Sequence, residues 1–200
     1  MSLHEIERIG EVFVARSAII VGDVTLGEGC NIWHHVVLRG DVAPIRLGKR
    51  VNVQDGSVLH CTHDVPLEIA DDVAIGHLAC VHCKRVGPNT LIATRATVLD
   101  DCEIGQDCMI GAGAVVPPGT VIPDGSVALG MPAKVIRPIR DRDREYLRRV
   151  LTHYRDLARR HAEGEFKPFA PEEAGRTASQ AGFGTGESPP TFHSRENPGA

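Results

Sequence analysis

The feature that most restricts this chain's fold is a beat of six residues. Large aliphatic residues fall at Val14, Ile20, Leu26, Ile32 and Leu38. The beat restarts at Leu47, Val53 and Leu59, and again at Ile69, Ile75 and Val81. It then runs from Val86 through Ile92, Val98, Ile104, Ile110 and Val116 and ends near Ile122. Glycine follows the aliphatic at positions 27, 48, 76, 87, 105 and 111. Four residues after the aliphatic comes a small one: Ala18, Cys30, Ser57, Ala79, Thr90, Ala96, Cys102, Cys108, Ala114 and Ser126. Such a period predicts a solenoid. Each hexad is a short strand plus a corner, with the aliphatic inward and the small residue tucked into the turn. Three hexads close one coil, and stacked coils bury what a single coil cannot. The competing architecture, a β-sandwich, shows period two within strands but no fixed beat of six. Only 4% of residues are aromatic against 42% hydrophobic, so the core is expected to be aliphatic.

The pattern resembles the left-handed parallel β-helix of the hexapeptide-repeat superfamily. The hand comes from that resemblance alone, because it opposes the usual right-handed crossover. The expected fold class is an all-β solenoid, a left-handed parallel β-helix over residues 1–138 with a C-terminal α-helix. Breaks in the beat collect at one corner of successive coils: Leu38 to Leu47, Leu59 to Ile69, and Val81 to Val86. Insertions gathered at one corner mark a functional edge. Residues 139–166 are expected to form an amphipathic helix packed on the coils. Leu147, Val150, Leu151, Tyr154, Leu157 and Ala158 share its apolar face, and Asp141 or Asp143 is the expected cap. Residues 167–200, rich in Pro, Gly, Ser and Glu without periodicity, are expected to be a flexible tail.

Charge and composition exclude several classes. A net charge of −4 gives no basic footprint for nucleic acid and no polybasic membrane patch. The N-terminal stretch carries Glu and Arg throughout and lacks the apolar core of a signal peptide. No run approaches the length of a membrane span. Six cysteines without an export signal suggest reduced thiols and a cytoplasmic protein. Cys30, Cys102 and Cys108 occupy the small inward position and are expected in the core.

Four of the ten histidines lie between residues 59 and 82: His60, His63, His77 and His82. If the aliphatic points inward, the next residue points outward. Leu38 is followed by Arg39, Leu59 by His60 and Val81 by His82. Those three then form one outward column, with coils about 4.8 Å apart. Two such imidazoles can share a Zn²⁺ through bonds of about 2.0–2.1 Å. His77 lies near a different corner and is expected to reach the equivalent pair of a neighbouring chain across a threefold axis. Cys61 and Cys83 follow His60 and His82 in register, so a Cys/His zinc site or a disulfide is the alternative. His63 is either a corner residue or a proton relay. His34, His35, His153, His161 and His193 are expected on the surface.

The motifs RGD at 39–41, NVQDG at 52–56, LH at 59–60 and GHLACVH at 76–82 resemble those of the γ-class carbonic anhydrase family. The similarity spans roughly residues 10–138. It implies a homotrimer that hydrates CO2 to bicarbonate at metal sites between subunits. His60 and His82 correspond to the two ligands of one subunit and His77 to that of its neighbour. Arg39 and Asp41 match an interface salt bridge, and Gln54 a residue beside the metal-bound solvent. Asp55 is expected to hold its loop. Three imidazoles suit Zn²⁺, and also Fe²⁺ or Co²⁺. The chain departs from the family at three places. Val42 stands where founding members carry Glu, CTHDVPLE replaces a longer acidic loop, and IATRA replaces IGMGA, which sets Arg95 near a corner. Two alternatives use the same scaffold: an acyltransferase or acyl-CoA thioesterase, and a non-catalytic metal-binding scaffold.

Overall fold

The computed structural model describes residues 5–168. Coils stack in parallel register. Val53 lies between Ile32 and Ile75, and Leu59 between Leu38 and Val81. Three aliphatic columns fill the interior. Ile32, Val53, Ile75, Ile92 and Ile110 form one, Leu38, Leu59, Val81, Val98 and Val116 the second, and Leu47, Ile69, Val86, Ile104 and Ile122 the third; none is more than 3% exposed. A fully buried side chain of this size contributes about 1.5–3 kcal/mol. Cys30, Cys102 and Cys108 lie in the same core, as expected.

The strands form two sheets. One, of nine strands, forms a single face. It begins with the hairpin Ile6–Ile9/Val12–Ala15 and ends with the hairpin Ser126–Leu129/Lys134–Pro138. Both hairpins are antiparallel and form the two edges of this sheet. The beat gives no sign of them, because it falls silent outside residues 14–122.

The other sheet, of ten strands, covers the remaining two faces. It folds over at Val37–Leu47, which pairs through its first half with Val58–His60 and through its second with Leu67–Ile69. A short strand plus corner per hexad therefore fails here. Ile19–Leu26 and Val37–Leu47 each run through the corner as one bent strand. Gly22 and Gly40 permit this, since a Cβ on Gly22 would collide with the Gly40 carbonyl.

The C-terminal helix spans Asp141–Ala162 and lies against the nine-stranded face. Leu147 packs with Ala74 and Leu91, and Ala158 with Ile6, Ala15 and Trp33. Neither expected aspartate is the N-cap. That position is Arg140, and Asp143 acts from inside the first turn, where its Oδ2 accepts the Arg140 N–H at 2.9 Å. Arg137 pairs with the same carboxylate at 2.6 Å and holds it below the usual carboxylate range. Asp141 is exposed. Among the described residues no helix is long and apolar enough to cross a membrane. The tail expected over 167–200 lies outside the described residues from 169 onward.

Candidate functional site

Arg39, His60 and His82 stand on adjacent strands of one face, with Arg39 in register with His60. His60 Nδ1 and His82 Nε2 are 3.1 Å apart. Outer nitrogens of both rings meet carboxylates: His60 Nε2 lies 3.1 Å from Asp41 Oδ1, and His82 Nδ1 lies 2.7 Å from Asp100 Oδ1. Asp41 in turn accepts from Arg39 Nη1 at 3.0 and 2.7 Å. One guanidinium nitrogen serves both oxygens, so the pair is bifurcated rather than a two-pronged fork. Arg39, and secondarily His60, hold the Asp41 carboxyl below its usual range. Asp100 is held low mainly by the Thr62 hydroxyl, which donates to Oδ1 at 2.9 Å, with His82 contributing.

His77 lies apart from this pair, at the corner that ends the nine-stranded face. Its Nδ1 is 3.0 Å from Asp55 Oδ2, and its Nε2 is 2.8 Å from the Tyr154 hydroxyl on the C-terminal helix. Asp55 does more than hold its loop. It orients His77 through Oδ2 and accepts the His34 backbone N–H through Oδ1 at 3.2 Å. Gln54 is buried beneath, in a line of amides. Trp33 Nε1–H and Asn52 Nδ2–H both donate to Asn31 Oδ1, at 2.9 and 2.6 Å. Gln54 Nε2–H donates to Asn52 Oδ1 at 2.9 Å, and the His77 backbone N–H donates to Gln54 Oε1 at 3.2 Å. An indole N–H and a peptide N–H can only donate. With donors at both ends, the direction of every amide between them is set, Gln54 included.

Asp100, Thr62, Tyr154 and the Asn31–Asn52 line escaped sequence reading. Asp100 follows Leu99 as an ordinary turn residue, and Tyr154 looks like one more apolar-face residue of a helix. Only the coil stacking brings them to the histidines. Two surface assignments are corrected. His34 is partly buried, with Nδ1 3.0 Å from Ser17 Oγ. His161 packs edge-on to Trp33 at 5.4 Å, and burial lowers its pKa. His193 lies outside the described residues, while His35 and His153 are exposed. His63 is a corner residue, 79% exposed and 2.8 Å from Asp64. Cys61 and Cys83 turn inward, where their thiols meet the carbonyls of Ala43 and Arg85. Burial raises both thiols, and all six cysteines are free. The Cys/His alternative is thus not assembled, because the residue after each histidine faces the core.

Among the described residues no three His, Cys, Asp or Glu side chains of one chain converge on a metal position. The donor chemistry nevertheless fits a metal shared between chains. Two tetrahedral ligands at 2.0–2.1 Å stand about 3.3 Å apart, close to the 3.1 Å between His60 Nδ1 and His82 Nε2. Metal-binding imidazoles almost always carry a carboxylate, carbonyl or water on the other nitrogen. His60, His82 and His77 each carry a carboxylate, and on His77 the other nitrogen, Nε2, meets the Tyr154 hydroxyl, which a metal would have to displace.

The chain is similar to known proteins. A family signature described as "Bacterial transferase hexapeptide (six repeats)" matches residues 84–118. It marks the solenoid as a left-handed parallel β-helix, the hand that the family resemblance implied and the beat alone did not give. The chain is 49% identical over 142 residues to a carbonic anhydrase of Geobacillus kaustophilus, covering 71% of this chain and 78% of that protein. It is 39% identical over 165 residues to gamma carbonic anhydrase 1, mitochondrial, of Arabidopsis thaliana, covering 80% of this chain and 60% of the other. Among solved structures, it is similar to a hexapeptide transferase family protein from Anaplasma phagocytophilum. That match has a TM-score of 0.71 and 32% identity, and covers 76% of this chain and 89% of the other.

Proposed function

The chain belongs to the γ-class carbonic anhydrase family of hexapeptide-repeat, left-handed β-helix proteins, and on that premise we propose that it hydrates CO2 reversibly as a homotrimer. The sites lie between subunits, with His60 and His82 from one and His77 from the next. The observation that carries this reading is the carboxylate behind each of the three imidazoles. The exposed His63 meets Asp64 as well, so the carboxylates count only together with the 3.1 Å approach of His60 to His82. When bound there, Zn²⁺, or Fe²⁺ or Co²⁺ on the same donors, supplies Lewis acidity and a nucleophile at neutral pH.

The protein's own residues do the rest. Asp41, Asp100 and Asp55 fix the tautomers and tilts of the three rings. Arg39 keeps Asp41 ionised for that task. Gln54, its amide direction set by Asn52 and the His77 N–H, presents a fixed polar group rather than a rotor. It can then orient solvent or CO2 without reorganising. Val42 and the short 61–68 turn lack the family's acidic positions, which leaves His63 or Asp64 on that turn to carry a proton outward.

Metal content and CO2 hydration on the intact oligomer, purified without air, test the proposal. We expect a trimer with about one metal per chain, and a His77→Ala variant that stays trimeric but loses both metal and hydration. A metal-free, inactive native trimer overturns the reading. Turnover of an acyl-CoA by that trimer would instead favour the transferase chemistry named for one structural relative. A metal-loaded trimer without hydration would mark a non-catalytic scaffold.

A further inference from the structure

Arg95 is an odd residue for its place. It occupies the left-handed turn position of a corner, with φ +59°, a conformation that costs an L-residue and suits glycine. On other coils of the same corner that position is His35, Gly56, Leu78 and Gly113, all at positive φ, so what sets Arg95 apart is its charge. The Arg95 side chain is exposed, and among the described residues its guanidinium has no hydrogen bond or ion pair. Its backbone N–H donates to the His77 carbonyl at 2.8 Å, so it stacks one coil beyond the His77 corner.

Asp100 is odd in the complementary way. Its Oδ1 takes both the Thr62 hydroxyl and His82 Nδ1. Among the other described residues its Oδ2 has no hydrogen-bond or ion-pair partner, and the side chain is 47% exposed. It lies one coil beyond His82, just past Leu99, which stacks above that histidine. Arg95 therefore stands to His77 as Asp100 stands to His82: one coil up and one residue on.

We propose that Arg95 clamps Asp100 of the partner subunit through its unused Oδ2, so that each subunit orients the neighbour's metal ligand His82. The inference rests on the shared-site reading above. With the threefold axis along the solenoid, coils of neighbouring subunits are level. If His77 reaches the partner's His60 and His82, then Arg95, about 4.8 Å further along, comes level with the partner's Asp100. Guanidinium and carboxylate make a charge-assisted pair. Arg95 is a positioning residue: it holds the carboxylate that holds the ring, and so couples metal retention to assembly.

Arg95→Gly separates this role from a merely strained corner, because glycine relieves the backbone while removing the guanidinium. The Zn²⁺-loaded trimer is followed by sedimentation velocity and by Zn²⁺ release to a chromophoric chelator. The clamp predicts Zn²⁺ release about tenfold faster or more from trimers that remain assembled, partial rescue by Arg95→Lys, and no added effect of Arg95→Gly in an Asp100→Asn background. A trimeric wild type whose Arg95→Gly variant releases Zn²⁺ at the unchanged rate overturns the clamp alone. Equal effects with and without Asp100 do the same. A monomeric wild type overturns the shared-site reading and the clamp with it.

Discussion

Gly76 separates the core residue Ile75 from His77 and has no room for a side chain. A Cβ there would sit 2.6 Å from the Thr94 nitrogen and 2.9 Å from the Ala93 carbonyl carbon of the next coil. Both are backbone atoms of a packed ladder and cannot swing aside. Gly87 meets the following coil in the same way, 2.6 Å from the Gln106 nitrogen. That glycine recurs after the aliphatic is visible in the sequence. The reason is not, because the crowding atoms belong to a residue about one coil away. Gly76→Ala should therefore destabilise the protein by about 2 kcal/mol or more, read as a lower urea midpoint with an unchanged slope. A neutral result would mean that the corner can open without cost.

At the scale of elements, the C-terminal helix is tied to the solenoid by its capping charge. Asp143 is buried, bonds the Arg140 N–H, and pairs with Arg137. Its carboxyl is depressed in the fold, chiefly by Arg137. A depressed carboxylate stabilises fully above its unfolded value near pH 4, and the contribution is lost as the pH falls through the lower folded value. Asp143→Asn should cost about 2 kcal/mol at pH 7, and the gap to wild type should narrow steadily below pH 4. Denaturant melts at pH 7 and pH 3 measure it, and a gap constant across that range would remove the ion pair as the cause. The helix itself was legible from its apolar stripe. The choice of Asp143 over Asp141 was not, because it depends on Arg137 in the preceding strand.

At the scale of the whole molecule, a shared site makes a complementation test possible. His77→Ala chains keep the His60–His82 pair, and His60→Ala chains keep His77. Each alone should assemble without metal. Refolded together in equal amounts, they should recover about one quarter of the wild-type metal, the statistical share of interfaces that join the two intact halves. Recovery of none would place all the ligands within one chain. The division rests on orientation: His60 and His82 share one face of a chain, whereas His77 is held at another corner by Asp55 and Tyr154.

The solenoid, its aliphatic columns and the pairing of His60 with His82 followed from sequence alone, because a fixed six-residue period and a strand's alternation determine which side chains share a column. The tertiary structure decided what lies behind those columns. The two end hairpins, the bent strands at Val37–Leu47 and Ile19–Leu26, the inward turn of Cys61 and Cys83, and the Asp100, Asp55 and Tyr154 contacts all join residues on different coils or different elements. A periodic sequence states what repeats within a coil. Contacts between coils depend on how the corners bend, and only the packed chain sets that.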